Sequence, residues 1–168
     1  MKCWGKNTYG QLGDSTKGTR TTPTAVKNLG GNAIAVALGW YTYHTCAILD
    51  NNELMCWGYN YFGSLGDSTT ISRKTPTVVD LADEIQASIV ALGSFHTCAI
   101  LDNNLLKCWG YNVFGQVGDS TSSNSRKNPK IVDLGDDRYA SSISLGNHHS
   151  CSILDNNTLE CWGWDYFG

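Results

Sequence analysis

The cysteines and histidines of this sequence are the residues whose types and spacing could do chemistry. The chain has 168 residues and seven cysteines, of which six form pairs ten positions apart. A histidine stands two positions before the first cysteine of each pair. Sets of this kind could form disulfides, bind zinc or provide a thiol nucleophile with its base. The three sets are His44, Cys46 and Cys56; His96, Cys98 and Cys108; and His149, Cys151 and Cys161.

The repetition of these sets argues against catalysis. A Cys–His nucleophile requires one special pair, whereas three equivalent sets indicate architecture. A glycan-active enzyme would need carboxylates that converge on one site. The recurrent acids, Asp14, Asp67 and Asp119, instead precede Ser-Thr in turns, where bonding to the backbone explains them. We therefore predict that the chain is not an enzyme and that it has no catalytic residue, metal site or cofactor.

A β-hairpin would bring the paired cysteines together. The turn-forming run that begins at Asp50 separates two strand-like segments, 43–49 and 53–58. In a hairpin centred on Asn51, residues 46 and 56 are opposed, with Cα atoms about 4.5–5.5 Å apart, which a disulfide accepts. Buried thiols, or a zinc trio formed by the first set, remain alternatives, although two strands close a tetrahedral site poorly. The prediction is three structural disulfides, Cys46–Cys56, Cys98–Cys108 and Cys151–Cys161.

The cysteine pairs belong to a repeat of 52 or 53 residues that extends along nearly the whole chain. Each unit contains Cys-Trp-Gly, beginning at Cys3, Cys56, Cys108 and Cys161, and an aromatic-Gly pair follows each one. Strand patterns and turn signals fit four antiparallel strands per unit, which is the size of a propeller blade. The predicted fold class is all-β, a partial β-propeller of four-stranded antiparallel blades. Its predicted segments are 1–33 (the C-terminal half of a truncated blade), 34–86, 87–140 and 141–168 (an incomplete blade).

Tryptophan and histidine recur at fixed positions of the repeat, and both have predicted packing roles. Trp57, Trp109 and Trp162 are expected to fill the gaps between adjacent blades, because large flat rings bury much apolar area. The repeat histidines are expected to be half-buried imidazoles, each bonded to a carbonyl or loop of a neighbouring strand.

The repeat resembles a known family. The runs Gly-x-x-His-Thr-Cys-Ala-Ile-Leu and Cys-Trp-Gly-Tyr-Asn-x-Phe-Gly-x-x-Gly-Asp-Ser-Thr are similar to the repeats of the regulator of chromosome condensation family. The cysteine-bearing form is more similar to bacterial and protist members than to the eukaryotic nuclear founder. The resemblance implies a ring, usually of seven blades, that serves as a protein-binding platform. The founder's exchange activity on a small GTPase depends on a strand-rich insertion, and nothing here interrupts the repeat spacing enough to hold one.

The repeat boundaries predict that the chain is a fragment of a longer ring. Two full blades flanked by partial ones leave faces and strand edges uncovered. We therefore expect either the remaining blades of the same chain or self-assembly with further copies to close the ring. Cys3 corresponds to Cys56, so its disulfide partner would lie upstream of Met1.

Composition limits the classes of partner. The formal net charge is −3 and charged residues make up 16% of the chain, so nucleic acid and anionic membranes are not indicated. No apolar run approaches the roughly 20 residues that span a bilayer. Disulfides would imply an extracellular or otherwise oxidising location.

Aromatic residues that differ between repeats are the candidate binding residues. Trp40 and Tyr41 lie in a two-residue expansion of one loop, and the loops after Cys-Trp-Gly carry further aromatics, which are preferred interface anchors. The predicted function is a non-catalytic scaffold that binds an unidentified protein through its blade loops. A guanine nucleotide exchange factor-like regulator of a small GTPase and a carbohydrate-binding propeller are the alternatives. The predicted binding residues are Trp40, Tyr41, Tyr59, Tyr61, Tyr111, Trp164 and Tyr166.

Overall fold

Short antiparallel strands make up the fold. The computed structural model describes residues 1–82, 85–135 and 138–165, and within these ranges it contains thirteen β-strands. No helix in these ranges is long and apolar enough to cross a membrane. The strands form four antiparallel sheets, which confirms the predicted all-β class.

Each sheet is a meander in which strands that are neighbours in sequence are hydrogen-bonded neighbours in space. The first sheet has two strands, β1 (Lys2–Gly5) and β2 (Arg20–Ala25). The two central sheets have four strands each, β3 (Ala33–Ala37), β4 (His44–Leu49), β5 (Leu54–Gly58) and β6 (Arg73–Val78), then β7 (Ala87–Leu92), β8 (His96–Leu101), β9 (Leu106–Tyr111) and β10 (Ser125–Ile131). The last sheet has three described strands, β11 (Ala140–Leu145), β12 (His149–Leu154) and β13 (Leu159–Gly163).

Asparagines form the tight turns between the second and third strands of these sheets. Asn52, Asn104 and Asn157 have φ angles of 61°, 65° and 65°, a left-handed conformation that asparagine tolerates. The asparagine before each one closes the turn; in the first, the Glu53 N–H donates to Asn51 Oδ1 at 3.1 Å. The turns fix the register, which places each repeat cysteine opposite the one ten positions later.

Each hairpin carries a disulfide between its opposed strands. The bonded pairs are Cys46–Cys56, Cys98–Cys108 and Cys151–Cys161, with Cα–Cα distances of 4.2, 4.1 and 4.1 Å. The sulfurs of the alternative zinc trio are thus bonded to each other. In the described ranges, no group of three or more His, Cys, Asp or Glu residues could hold a metal ion. Cys3, the free cysteine of these ranges, is half-buried, and burial raises the pKa of its thiol.

Adjacent sheets pack against each other through apolar side chains. One cluster lies between the β3–β6 and β7–β10 sheets and includes Ile48, Leu65, Leu101 and Trp109. A second cluster joins the β7–β10 sheet to β11–β13. The paired strands β4, β5 and β8 are buried along their whole length because they lie in the middle of sheets that are covered on both faces.

The tryptophans link neighbouring repeats by packing and by a hydrogen bond. The Trp57 indole N–H donates to the Gln11 carbonyl at 2.9 Å, and the Trp109 indole donates to the Ser64 carbonyl at 2.9 Å. Each acceptor lies in a loop of the preceding repeat, and both indoles are fully buried. The tryptophans therefore occupy the gaps between repeats, where the sequence pattern predicts them.

His44 and His96 form a second link and are more deeply buried than the predicted half-buried state, whereas His149 is exposed. His44 Nε2 lies 2.9 Å from Thr97 Oγ1 in the next sheet, and the Thr97 hydroxyl donates to the Ser64 carbonyl at 2.8 Å. Because the hydroxyl proton is used in that bond, Thr97 accepts from His44, whose proton therefore sits on Nε2. His96 makes the equivalent contact with Ser150 Oγ at 3.1 Å. The partner is thus a hydroxyl rather than the carbonyl or loop that was predicted.

Candidate binding surface

A row of aromatic rings crosses one side of the described sheets, where their second strands begin and their third strands end. Three positions of the repeat contribute: the residue before the repeat histidine, the residue after Cys-Trp-Gly, and the aromatic residue before the loop glycine. We call this row the aromatic ladder. Its members are Tyr9, Tyr43, Tyr59, Phe62, Phe95, Tyr111, Phe114, His148 and Trp164.

Ring contacts run without a break from one repeat to the next. The Tyr59 ring centre lies 4.8 Å from that of Tyr9 and 5.8 Å from that of Phe95. The Phe62 ring centre lies 5.5 Å from that of Phe95 and 4.7 Å from that of Tyr111. Most of these pairs are tilted or edge-to-face, the arrangements in which aromatic rings attract each other.

The ladder continues into the last described sheet. The ring centres of Tyr111 and Phe114 are 6.1 Å apart, and Phe114 stacks on Trp164 at 5.2 Å. The His148 ring centre lies 5.6 Å from the ring centres of both Phe114 and Trp164. Phe114 and Trp164 are exposed, and the remaining members are half-buried. The ladder is therefore partly open to solvent along its length.

A glycine brings two ladder positions together at the end of each third strand. Gly58 has a φ of 107°, and a Cβ there would lie 2.5 Å from the Tyr43 carbonyl oxygen. This close approach lets the Tyr59 N–H donate to the Tyr43 carbonyl at 2.8 Å. The same bond joins Tyr111 to Phe95 and Trp164 to His148. Glycine alone combines the positive φ with the missing side chain that this approach requires.

A buried hydrogen-bond network holds the loop that carries Phe62. Asn60 is fully buried, and its side-chain amide donates to Asp67 Oδ1 at 3.0 Å. The same carboxylate accepts from the Thr69 hydroxyl at 2.7 Å and forms an ion pair with Arg73 at 2.8 Å. The network closes the loop on itself and so fixes where its aromatic residue projects.

The same network recurs in the other two loops and keeps their carboxylates ionised. Burial disfavours the charged form of Asp14, but hydrogen bonds from Thr16, Arg20 and Asn7 outweigh it and lower the pKa to about 2. A similar balance lowers the pKa values of Asp67 and Asp119. Each of these acids is paired with an arginine of its own loop, so they stabilise the loops instead of converging on one site.

Lysines flank the ladder. The backbone of Lys74 packs on the glycine that follows Tyr9, and that of Lys127 packs on the glycine that follows Phe62. The Lys6 ammonium lies 5.6 Å from the centre of the Tyr43 ring, within reach of a cation–π interaction. All three lysines are exposed, and none forms an ion pair with a residue of the described ranges.

The ladder includes some of the predicted binding residues. Tyr59, Tyr111 and Trp164 are members. Tyr61 extends from the ladder, 67% exposed and stacked on Tyr59 at 6.4 Å. Tyr166 lies outside the described residues.

Trp40 and Tyr41 form a separate exposed pair. Their ring centres are 5.5 Å apart, and the side chains are 79% and 64% exposed. Tyr41 has a φ of 57°, in the left-handed region. Among the described residues, no ring contact joins this pair to the ladder. The pair is available for contact but does not share the ladder's continuous surface.

Most of the ladder was absent from the predicted binding set. The sequence does carry a signal for it, because an aromatic-Gly pair recurs in every unit and a ring precedes every repeat histidine. Recurrence indicates architecture, so a search for positions that differ between repeats passes over these residues. The omitted members are Tyr9, Tyr43, Phe62, Phe95, Phe114 and His148.

Comparison with known proteins gives matches along nearly the whole chain. A family model described as the regulator of chromosome condensation (RCC1) repeat matches residues 3–48, 51–100 and 108–153. A second model of the same repeat matches residues 33–64, 87–116 and 140–168. The ultraviolet-B receptor UVR8 of Arabidopsis thaliana is 29% identical over 169 residues, an alignment that covers 100% of this chain and 38% of the receptor.

Solved structures share the fold. Human WBSCR16 aligns with a TM-score of 0.83 and 19% identity, over 96% of this chain and 42% of that one. Prp20p of Saccharomyces cerevisiae, whose structure was described with its binding properties to Gsp1p and histones, aligns with a TM-score of 0.78 and 21% identity, over 97% of this chain and 41% of that one. The sheets are thus part of a β-propeller, as predicted, and the chain spans less than half the length of these relatives.

Proposed function

Because the chain belongs to the regulator of chromosome condensation (RCC1) repeat family, we propose that it is a non-catalytic scaffold that binds a protein partner through the loops of its ladder side. The aromatic ladder is the observation that carries this proposal. Its rings are held by strand ends and closed loops, so few rotatable bonds would lose conformational freedom on binding. Tyrosine, tryptophan and phenylalanine are also the side chains that contribute most to protein interfaces.

The lysines beside the ladder favour a partner with acidic groups. Lys74 and Lys127 lie next to ladder glycines, and their charges are not neutralised by the described residues. Each would approach a partner that lies along the rings. An acidic protein segment with apolar side chains would therefore match both the rings and the charges.

Exchange activity on a small GTPase is the weaker alternative. Binding to Gsp1p was described for Prp20p, but at 21% identity the likeness to that protein concerns the fold alone. Every strand in the described ranges belongs to one of the four sheets, so these ranges provide no inserted strand pair. The family resemblance is therefore the only support for this alternative.

Carbohydrate binding is the second alternative, and the ladder itself favours it. Sugar rings stack on exposed aromatic faces, and Trp164 and Tyr61 offer such faces. The half-buried members expose only part of their area, which leaves less ring surface for a sugar to stack on. The seven predicted binding residues, including Trp40, Tyr41 and Tyr166, remain part of the proposed surface.

The proposal includes the setting in which the scaffold acts. The disulfide in each hairpin supports an extracellular or otherwise oxidising compartment. We take the repeat units to be 34–86 and 87–140, with 1–33 and 141–168 as parts of further blades. Further blades of the same chain, or of another copy, would complete the ring.

Interface variants test the proposed surface. Tyr61→Ala and Trp164→Ala remove exposed rings of the ladder side, and together they should weaken binding by tenfold or more, because buried interface aromatics each contribute about 2 kcal/mol. The partner would be identified by chemical cross-linking to the intact chain, purified, and titrated by calorimetry. A purified panel of glycans would be titrated in parallel.

A matched control separates surface from fold. Ile131→Ala removes a side chain that is 55% exposed on the outer strand β10, away from the ladder, and should leave affinity unchanged. Thermal melting must show that all variants remain folded. Equal affinity of the wild type and the double ladder variant for the purified partner would refute the proposed surface, and binding of glycans alone would transfer the function to the carbohydrate alternative.

A further inference from the structure

The turn between β12 and β13 contains a potential modification site. Asn156-Asn157-Thr158 is the single Asn-x-Ser/Thr tripeptide of the chain with a residue other than proline in the middle. Such a tripeptide on an exposed turn is the acceptor signal for N-linked glycans. We propose that the side-chain amide of Asn156 is an N-glycosylation site, occupied by an oligosaccharide.

The side chains of this turn are arranged as acceptor and hydroxyl partner. The Thr158 hydroxyl donates to Asn156 Oδ1 at 2.6 Å, and the Thr158 backbone N–H donates to the same oxygen at 3.0 Å. Both side chains are exposed. Asn156 Nδ2 has no hydrogen-bond partner within the described ranges. The hydroxyl therefore polarises the amide through its oxygen, while the nitrogen that would carry the sugar faces solvent.

The other hairpins show that the turn does not require the threonine. Asn51 Oδ1 accepts from the Glu53 N–H at 3.1 Å, and Asn103 Oδ1 accepts from the Leu105 N–H at 3.2 Å. These turns have the same backbone bond with glutamate or leucine where the third has Thr158. Turn formation therefore accounts for the asparagine but not for the Thr158 hydroxyl. This hydroxyl is the part of the acceptor tripeptide that the other two hairpins lack.

The position of the turn leaves room for a large substituent. Asn156, Asn157 and Thr158 are exposed, as are the equivalent turn asparagines at 51–52 and 103–104 of the complete sheets, and the turn is at the opposite end of the strands from the aromatic ladder. A glycan on Asn156 would project away from the proposed binding surface. The inference is therefore independent of that surface and shares with the proposed function only the oxidising compartment.

The transfer would balance as an ordinary glycosylation. Asn156 Nδ2 attacks the anomeric carbon of a lipid-linked oligosaccharide diphosphate; the N–C bond forms and the C–O bond to the diphosphate breaks. The lipid diphosphate leaves, the amide loses one proton, and nothing is oxidised or reduced. The transferase and the lipid-linked donor are supplied by the secretory pathway of the cell.

Secretion of the whole chain from a eukaryotic cell line tests the proposal by intact mass and by glycopeptide mapping. The wild type should carry one glycan, and enzymatic release should convert Asn156 to aspartate. Asn156→Gln and Thr158→Ala should each lower occupancy at least tenfold, whereas Thr158→Ser should retain it. A secreted wild type without glycan, or a Thr158→Ala variant with unchanged occupancy, would overturn the proposal.

Two controls separate a lost site from a lost fold. Leu105→Thr places the same tripeptide in the hairpin between β8 and β9 and should add a glycan on Asn103; failure to do so would show that this turn geometry is not accepted. Disulfide mapping and thermal melting should show that Thr158→Ala folds as the wild type does. Binding of the protein partner should be unchanged in Thr158→Ala, which distinguishes failure here from failure of the proposed surface.

Discussion

At the scale of the residue, two buried histidines are held in their neutral form. Burial lowers the pKa of His44 to about 4. For His96, burial together with the charges of the other histidines lowers the pKa to about 3. Each imidazole donates through Nε2 to a hydroxyl of the next sheet. That hydroxyl already donates its one proton to a backbone carbonyl, so it can only accept from the imidazole. A proton on Nδ1 would be buried without a partner, so these positions link the sheets only while neutral.

This arrangement predicts that acid weakens the fold well above the range in which carboxylates titrate. In the unfolded chain the histidines bind protons near pH 6.5, but in the native state they do so only near pH 4 or below. The free energy of unfolding should therefore fall as pH decreases from 6.5 to 4, by roughly 1.4 kcal/mol per pH unit for each histidine. Urea unfolding at several pH values would measure this slope.

The carboxylates and a third histidine provide the controls. Asp14, with a native pKa of about 2, loses its contribution only as pH falls below 3.8, outside the tested window. The double variant His44→Gln, His96→Gln should lose most of this slope above pH 4, whereas His148→Gln, which removes a less deeply buried imidazole whose pKa burial also lowers, should keep most of it. A wild type that is equally stable at pH 7 and pH 4.5 would contradict the assignment of neutral imidazoles.

At the scale of the element, the hairpin is the unit that local sequence specifies. The run Asp-Asn-Asn dictates the turn, the turn dictates the register, and the register opposes the cysteines. All of this depends on residues within about ten positions of each other, so the disulfide pairs could be predicted from spacing. The members of the ladder recur in the sequence, but their contacts could not be predicted from spacing, because Tyr9 and Tyr59 meet only when two sheets pack side by side.

The hairpin disulfides are expected to contribute measurably to stability. Replacing Cys98 and Cys108 together by alanine should lower the free energy of unfolding by about 2–3 kcal/mol, because the bond restricts the unfolded chain. Equilibrium urea unfolding followed by tryptophan fluorescence would measure the change. Cys3→Ser, which removes a thiol without a partner in the described ranges, should change stability by less than about 0.5 kcal/mol. Identical unfolding midpoints for the double variant and the wild type would rule out a stabilising bond.

At the scale of the whole molecule, unpaired charge is unevenly divided between the two sides of the sheets, with lysines in excess on the ladder side and acids in excess on the other. On the ladder side the described arginines are paired with aspartates, which leaves Lys6, Lys17, Lys74 and Lys127. The hairpin turns and the ends of the fourth strands, on the other side, carry Asp50, Glu53, Asp80, Asp102 and Asp133, together with the fewer unpaired lysines Lys2, Lys27 and Lys130. A net charge of −3 conceals this separation, so composition gave no indication of a basic surface. Only the fold shows which loops lie together.

This separation predicts electrostatic steering of the proposed partner to the ladder. The double variant Lys74→Glu, Lys127→Glu should slow association about tenfold at low salt, and the difference should shrink as ionic strength rises, because exposed charges are screened beyond about 10 Å. Stopped-flow association with the purified partner at several salt concentrations would measure it. Lys27→Glu, Lys130→Glu makes the same change of charge on exposed lysines toward the other ends of β2 and β10, and should leave the association rate close to the wild-type value. Equal slowing by both double variants would mean that overall charge, not the ladder side, governs the encounter.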